Sequence, residues 1–163
     1  MKKFGMPLLI AVILGALWTL PFRGGDVAEL LPVETVIVSR SGPGFVVDAG
    51  VGVLGRGGTA AAALKTLREE ASGELFFRTA EQIVITESAA DSLAEVVWQQ
   101  DFRPGAGVYL TPVETPDAEA IGRYLAAHDS NTTLTDVRAA LLAGEKPRVP
   151  VIVPVDGGYL VYA

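Results

Sequence analysis

Hydrophobic and polar positions divide this chain into one long apolar run and a series of short ones. The long run, Phe4 to Phe22, carries no charge, with Lys2 and Lys3 before it and Arg23, Asp26 and Glu29 after it. As a helix it would be roughly 28 Å long, about the thickness of a bilayer's hydrocarbon core. No pair of small residues suited to signal-peptide cleavage follows between Gly15 and Glu29. Residues 1–23 therefore read as an uncleaved transmembrane anchor, with a secretory signal peptide as the alternative. The two lysines place the N-terminus in the cytoplasm and everything after Arg23 outside it. Residues 24–32, glycine-bearing and acidic, read as a tether to a domain spanning 33–163.

Within that domain the period changes repeatedly. Val33 to Ser39 and Gly44 to Leu54 are β-rich runs, and Ser41-Gly42-Pro43-Gly44 between them has hairpin-loop chemistry. Gly55 to Gly58 breaks the second run. Thr59 is suited to cap a helix whose inner face is Ala60, Ala63, Leu64, Leu67 and Ala71, with Gly73 to end it. Leu75-Phe76-Phe77 leads into Ile83-Val84-Ile85, the continuous apolar pattern of a strand buried on both faces. Ser88 can cap the next helix, with Leu93, Val96 and Val97 inward, and Phe102-Arg103-Pro104-Gly105 ends that unit. Val108 to Leu110 is a further strand. Thr115-Pro116 opens a third helix lined by Ile121, Tyr124, Leu125 and His128. After the polar break at Ser130 to Thr133, a fourth helix carries Leu134, Val137 and Leu141, and Gly144 closes it. Val149 to Val155 and Tyr159 to Tyr162 flank Asp156-Gly157-Gly158, a hairpin signal. The pattern predicts one mixed α/β (α+β) domain with a mixed, partly antiparallel central sheet packed by about four helices.

Composition narrows the function classes. The net charge of −6 disfavours nucleic acid, whose phosphates demand a basic surface. The absence of cysteine excludes disulfides, thiol catalysis, zinc-thiolate sites and cysteine-linked lipid.

Four constellations look like chemistry. Gly50-Val51-Gly52-Val53-Leu54-Gly55 matches G-x-G-x-x-G, but a dinucleotide site needs that turn to open directly into a helix, and the next helix starts only at Thr59. His128-Asp129-Ser130 has the letters of a catalytic triad, yet adjacent residues cannot form its spatial relay. Asp117 and Glu119, close to Glu114, suit the first turn of a helix better than a cation site. Phe76, Phe77, Trp98, Phe102 and Tyr109 read chiefly as core, with one or two free to form a partner patch. No nucleophile, base and oxyanion donor can be assembled. The residues thus predict no enzyme, no catalytic or metal residues and no cofactor.

Taken in order, Gly58-Thr59 to Leu67, Leu75-Phe76-Phe77, Ile83-Val84-Ile85-Thr86-Glu87, Leu93 to Trp98 and Asp101-Phe102-Arg103-Pro104 form a recognisable unit. It resembles the N-terminal domain of the Ger(x)C family, the C subunits of spore germinant receptors. Leu134 to Gly144, then Pro147 and Pro150-Val151-Ile152, is similar to that domain's closing helix and exit strand, so the likeness runs from about Val33 to Ile152. The chain has Arg78-Thr79 where the family commonly has glycine-histidine, and it lacks the family's lipobox cysteine. The resemblance implies a single-domain, non-lipobox relative, a membrane-anchored component or accessory of the spore germination apparatus at the spore inner membrane. Its partners would be the A- and B-type membrane subunits of the receptor, met by docking through a surface near Phe77, Arg78, Trp98, Phe102 and Arg103. The alternative is a stand-alone extracytoplasmic module that binds a ligand or envelope polymer.

Overall fold

The computed structural model describes residues 30–128 and 132–162, so the expected anchor at residues 1–23 lies outside the described residues. Nine strands are present among them: β1 (Leu30–Pro32), β2 (Thr35–Ser41), β3 (Gly44–Asp48), β4 (Leu54–Gly57), β5 (Glu74–Phe76), β6 (Gln82–Thr86), β7 (Gly107–Thr111), β8 (Val151–Val155) and β9 (Gly158–Tyr162). The helices are α1 (Ala60–Glu70), α2 (Leu93–Val97), α3 (Ala118–Ala127) and α4 (Leu134–Leu142). Seven strands form one sheet in the order β4-β3-β2-β6-β7-β8-β9, and β1 pairs with β5 beside it. β2, β6, β7 and β8 are mutually parallel, whereas β3, β4 and β9 run antiparallel to their neighbours. The mixed sheet and its four helices match the predicted class.

Parallel strands covered on both sides need apolar residues at successive positions. β6 meets that demand, since every residue from Gln82 to Thr86 is buried. Alternation then sorts side chains between two cores. Val36, Val38, Ile83, Ile85 and Val108 pack with buried residues of α1, α2 and α4. Ile37, Val84, Tyr109 and Ile152 pack with Ala118, Ile121 and Leu125 of α3 on the other face. Full burial of a leucine such as Leu64 or Leu67 contributes about 1.5–3 kcal/mol.

α1 begins as its sequence predicts. The Thr59 hydroxyl accepts from Ala62 N at 3.1 Å. The first turn contains no acid, and Glu95 of α2 supplies one: its carboxylate accepts from Ala60 N and Ala61 N at 3.1 and 3.0 Å. Three helix-end donors are thereby satisfied, and the two helices are locked together.

Several boundaries differ from expectation for identifiable reasons. The stretch read as a tether ends in β1, and the strand expected from Val33 begins only at Thr35, as β2, because the backbone N–H of Val33 still donates toward β5 and its turn, to Phe76 O and Thr79 Oγ1. The run Gly44 to Leu54 splits into β3 and β4, because Gly50 and Gly52 take φ of 68° and 81° and turn the chain. Gly55 and Gly57 do not break a strand but lie within β4. Ser88 caps no helix: its hydroxyl bonds Glu114 at 2.7 Å and Thr86 Oγ1 at 3.0 Å, and Glu87–Ser92 forms 3-10 turns before α2. α3 opens at Ala118 rather than at Pro116, because the Asp117 carboxylate accepts from Glu119 N and Ala120 N.

Candidate docking surface

Of the predicted interface residues, Phe77, Arg78, Phe102 and Arg103 lie near the amino end of β6, and Trp98 lies apart, by α4. Between α1 and β6 the chain makes β5 and a single 3-10 turn, Phe77–Thr79. The Thr79 hydroxyl pins this turn, lying 2.6 Å from Phe76 O, 3.0 Å from Val33 O and 3.1 Å from Val33 N. Held this way, the aromatic pair diverges: Phe77 is 2% exposed and Phe76 is 37% exposed. Phe77 meets Phe102 edge-to-face, with centroids 5.4 Å apart.

Arg68, from the last turn of α1, closes the top of this pair. Its guanidinium lies 5.0 Å from the Phe77 ring centroid and bonds Asp101 at 2.6 Å. The result is an open groove of about 350 Å³ lined by Arg68, Glu74, Phe76, Phe77, Arg78 and Asp101. Arg78 projects from its rim, exposed. The groove offers a phenyl edge, a guanidinium–carboxylate pair and an unburied cation. Those groups can hold a partner side chain by stacking and charge, but they include no base adjacent to a nucleophile.

Of the five predicted interface residues, Phe77 and Phe102 are core and can only shape the surface from below. Arg78, Trp98 and Arg103 reach solvent, at different places. Trp98, 46% exposed, ends α2 beneath Arg138 of α4, which donates from Nε to Val97 O at 2.6 Å and from Nη2 to Gln99 O at 2.9 Å. Arg103 faces Glu81 at 3.8 Å. Only Phe77 and Arg78 line the groove. Sequence reasoning left Arg68 and Glu74 out of the interface, since neither stands out by spacing. It also chose Phe77 as the surface member of the aromatic pair, whereas burial alternates from Glu74 to Arg78 and puts Phe77 inside and Phe76 outside.

The other constellations separate. Gly50 and Gly52 sit in the β3–β4 turn, away from any helix start. His128 ends α3, with its ring stacked 4.2 Å from Tyr124 and Nδ1 2.9 Å from Tyr124 O; Asp129 and Ser130 lie outside the described residues. Asp117 caps α3, and Glu114 holds Ser88. Tyr109 is buried on the opposite face of the sheet from Phe77. At the carboxyl end of β2, Arg40 donates to Ser88 O and to Asp91, and this bonding holds the Asp91 carboxyl below its ordinary range. That cluster ties β2 to the turn after β6.

Among the described residues no three or more His, Asp or Glu side chains converge as a metal site, and no helix is long and apolar enough to cross a membrane. No family model, curated protein or solved structure matches the chain.

Proposed function

We propose that this chain is a non-enzymatic, membrane-anchored component or accessory of the spore germination apparatus. In this reading it resembles the N-terminal domain of the germinant receptor C subunit and docks to the A- and B-type membrane subunits at the spore inner membrane. One observation carries the reading. The residues of the resemblance, Thr59 to Pro104, fold as one contiguous unit, α1-β5-β6-α2. On the solvent side of that unit lies the groove of Phe76, Arg78 and the Arg68–Asp101 pair. Exposed aromatic and arginine side chains set over a rigid core are the residue types that anchor protein interfaces.

The test is a crosslink and pull-down of the tagged full chain from sporulating-cell membranes, read by mass spectrometry. Receptor subunits should be enriched, and Arg78→Glu should lower their recovery. Membrane recovery without such partners would overturn the docking role. Weight would then pass to the stand-alone binding module. That module would need a concave pocket lined by aromatics; the hollow between α3 and the β2–β3 pair, about 330 Å³ and lined by Thr35, Gly50, Ala118, Gly122 and Arg123, has no aromatic residue, which counts against it.

A further inference from the structure

We infer that β9 is a self-association edge, pairing antiparallel with β9 of a second copy about a two-fold axis at Leu160. This inference is independent of the germination reading.

β9 is the last strand of the sheet, with no described strand beyond it. Natural edges are blunted by charge, proline, a bulge or a covering element. Gly158-Tyr159-Leu160-Val161-Tyr162 has no charge and no proline, and it pairs with β8 residue for residue without a bulge. Tyr159 and Val161 pack toward α3. Leu160 and Tyr162 therefore lie on the opposite face of the sheet, where they are 50% and 48% exposed.

The two-residue turn makes Val155 and Gly158 the hydrogen-bonded closing pair of the hairpin. By alternation, Leu160 spends its N–H and C=O on Val153, while Tyr159 and Val161 direct theirs to the open edge. A two-fold axis at Leu160 then pairs Tyr159 with Val161 of the second copy, and the reverse, through both main-chain groups of each. Leu160 faces Leu160 across a non-hydrogen-bonded position. Tyr162 lies over Gly158 of the second copy, where the missing side chain leaves room for the ring. Aromatic against β-branched and aromatic over glycine are favourable cross-strand pairs.

Charge permits the pairing even though each chain carries −6. From Pro150 to Tyr162 the only charged residue is Asp156, at the turn. The two Asp156 carboxylates sit at opposite hairpin tips, about 20 Å apart along the joined ribbon, more than about two Debye lengths at physiological salt. Five residues per copy bury several hundred Å², short of the ~1,200 Å² of a stable complex. The dimer is accordingly weak and reversible, which favours a covalent trap over a sizing measurement.

The chain has no native cysteine, so a single introduced thiol reports unambiguously. Facing Leu160 Cα atoms would be about 4.5 Å apart, within disulfide reach. Under mild oxidation the full chain carrying Leu160→Cys should form disulfide dimer roughly tenfold faster than Leu54→Cys, an exposed position on the other edge strand. A mixture of Gly158→Cys and Tyr162→Cys chains should crosslink to each other and not to themselves. A Cβ at Gly158 meets no atom within 4 Å, so that variant keeps the fold. Equal rates for Leu160→Cys and Leu54→Cys, or self-crosslinking of the Gly158→Cys chain as fast as the mixed pair, would overturn the inference; the occupant of the edge would then be another protein's strand or nothing.

Discussion

The sheet ends differently on its two sides. On one side β4 is short and carries Arg56, and it lies directly under α1. A side-chain carbon at Gly55 would stand 2.1 Å from Ala63 O, and one at Gly57 2.5 Å from Ala63 N, so glycine is what lets the helix sit on the strand. On the other side β9 is uncharged and has no helix over Leu160 and Tyr162. Both edges contain glycine, yet only one uses it for close packing. Gly158 has open space around its missing side chain. β4 is thus covered on one face by the helix its glycines admit, whereas β9 has neither a charge nor a covering helix on the face of Leu160 and Tyr162.

The largest test of that contrast is Gly55→Val. With no room for a side chain against α1, it should cost about 4 kcal/mol or more, read as a collapse of the thermal transition. A mild effect would show that α1 can move off β4. Next, Leu64→Ala removes packing that holds α1 on the sheet and should cost about 2–5 kcal/mol in denaturant unfolding.

Thr133→Ala, distant from both edges, sets a smaller scale. Thr133 and Asp136 form a capping box on α4, so the substitution should cost about 1 kcal/mol. The same box gives a pH dependence. Hydrogen bonds from the Thr133 hydroxyl and then its backbone N–H hold the Asp136 carboxyl below the ordinary 3.8. A lowered folded pKa means that the stabilisation is present above about pH 4 and is lost as pH falls through the folded value. Asp136→Asn should therefore flatten the fall in stability between about pH 5 and 2. Smallest is Leu160→Lys at the open edge. It should leave stability within about 0.5 kcal/mol while abolishing the Leu160-centred pairing seen by crosslinking. A large loss of stability there would mean that β9 is already covered.

The parallel core was the most legible part of the sequence. Ile83-Val84-Ile85 and the Ala60, Ala63, Leu64 and Leu67 stripe are runs whose period alone states their burial. Thr59, Gly144 and Asp156-Gly157 were legible because capping and turn chemistry is local. Illegible features depend on distant partners. Ser88 looks like a cap until Glu114 arrives from the loop after β7. Gly55 looks like a strand breaker until α1 packs on it. At the candidate site the aromatic pair was visible, but Phe77 was read as its surface member, whereas the structure buries Phe77 and exposes Phe76, in a turn pinned by the Thr79 hydroxyl to Val33, 46 positions away. Arg68 and Asp101, brought together from the last turn of α1 and the loop after α2, leave no local trace.

The most direct test of the docking role is photo-crosslinking in sporulating cells, with a photoreactive phenylalanine analogue replacing Phe76 in the groove and, separately, Leu54 on the opposite edge strand β4. The account predicts that position 76 captures an A- or B-type receptor subunit and that position 54 does not. Capture of neither subunit from position 76, or equal capture from both positions, would contradict it.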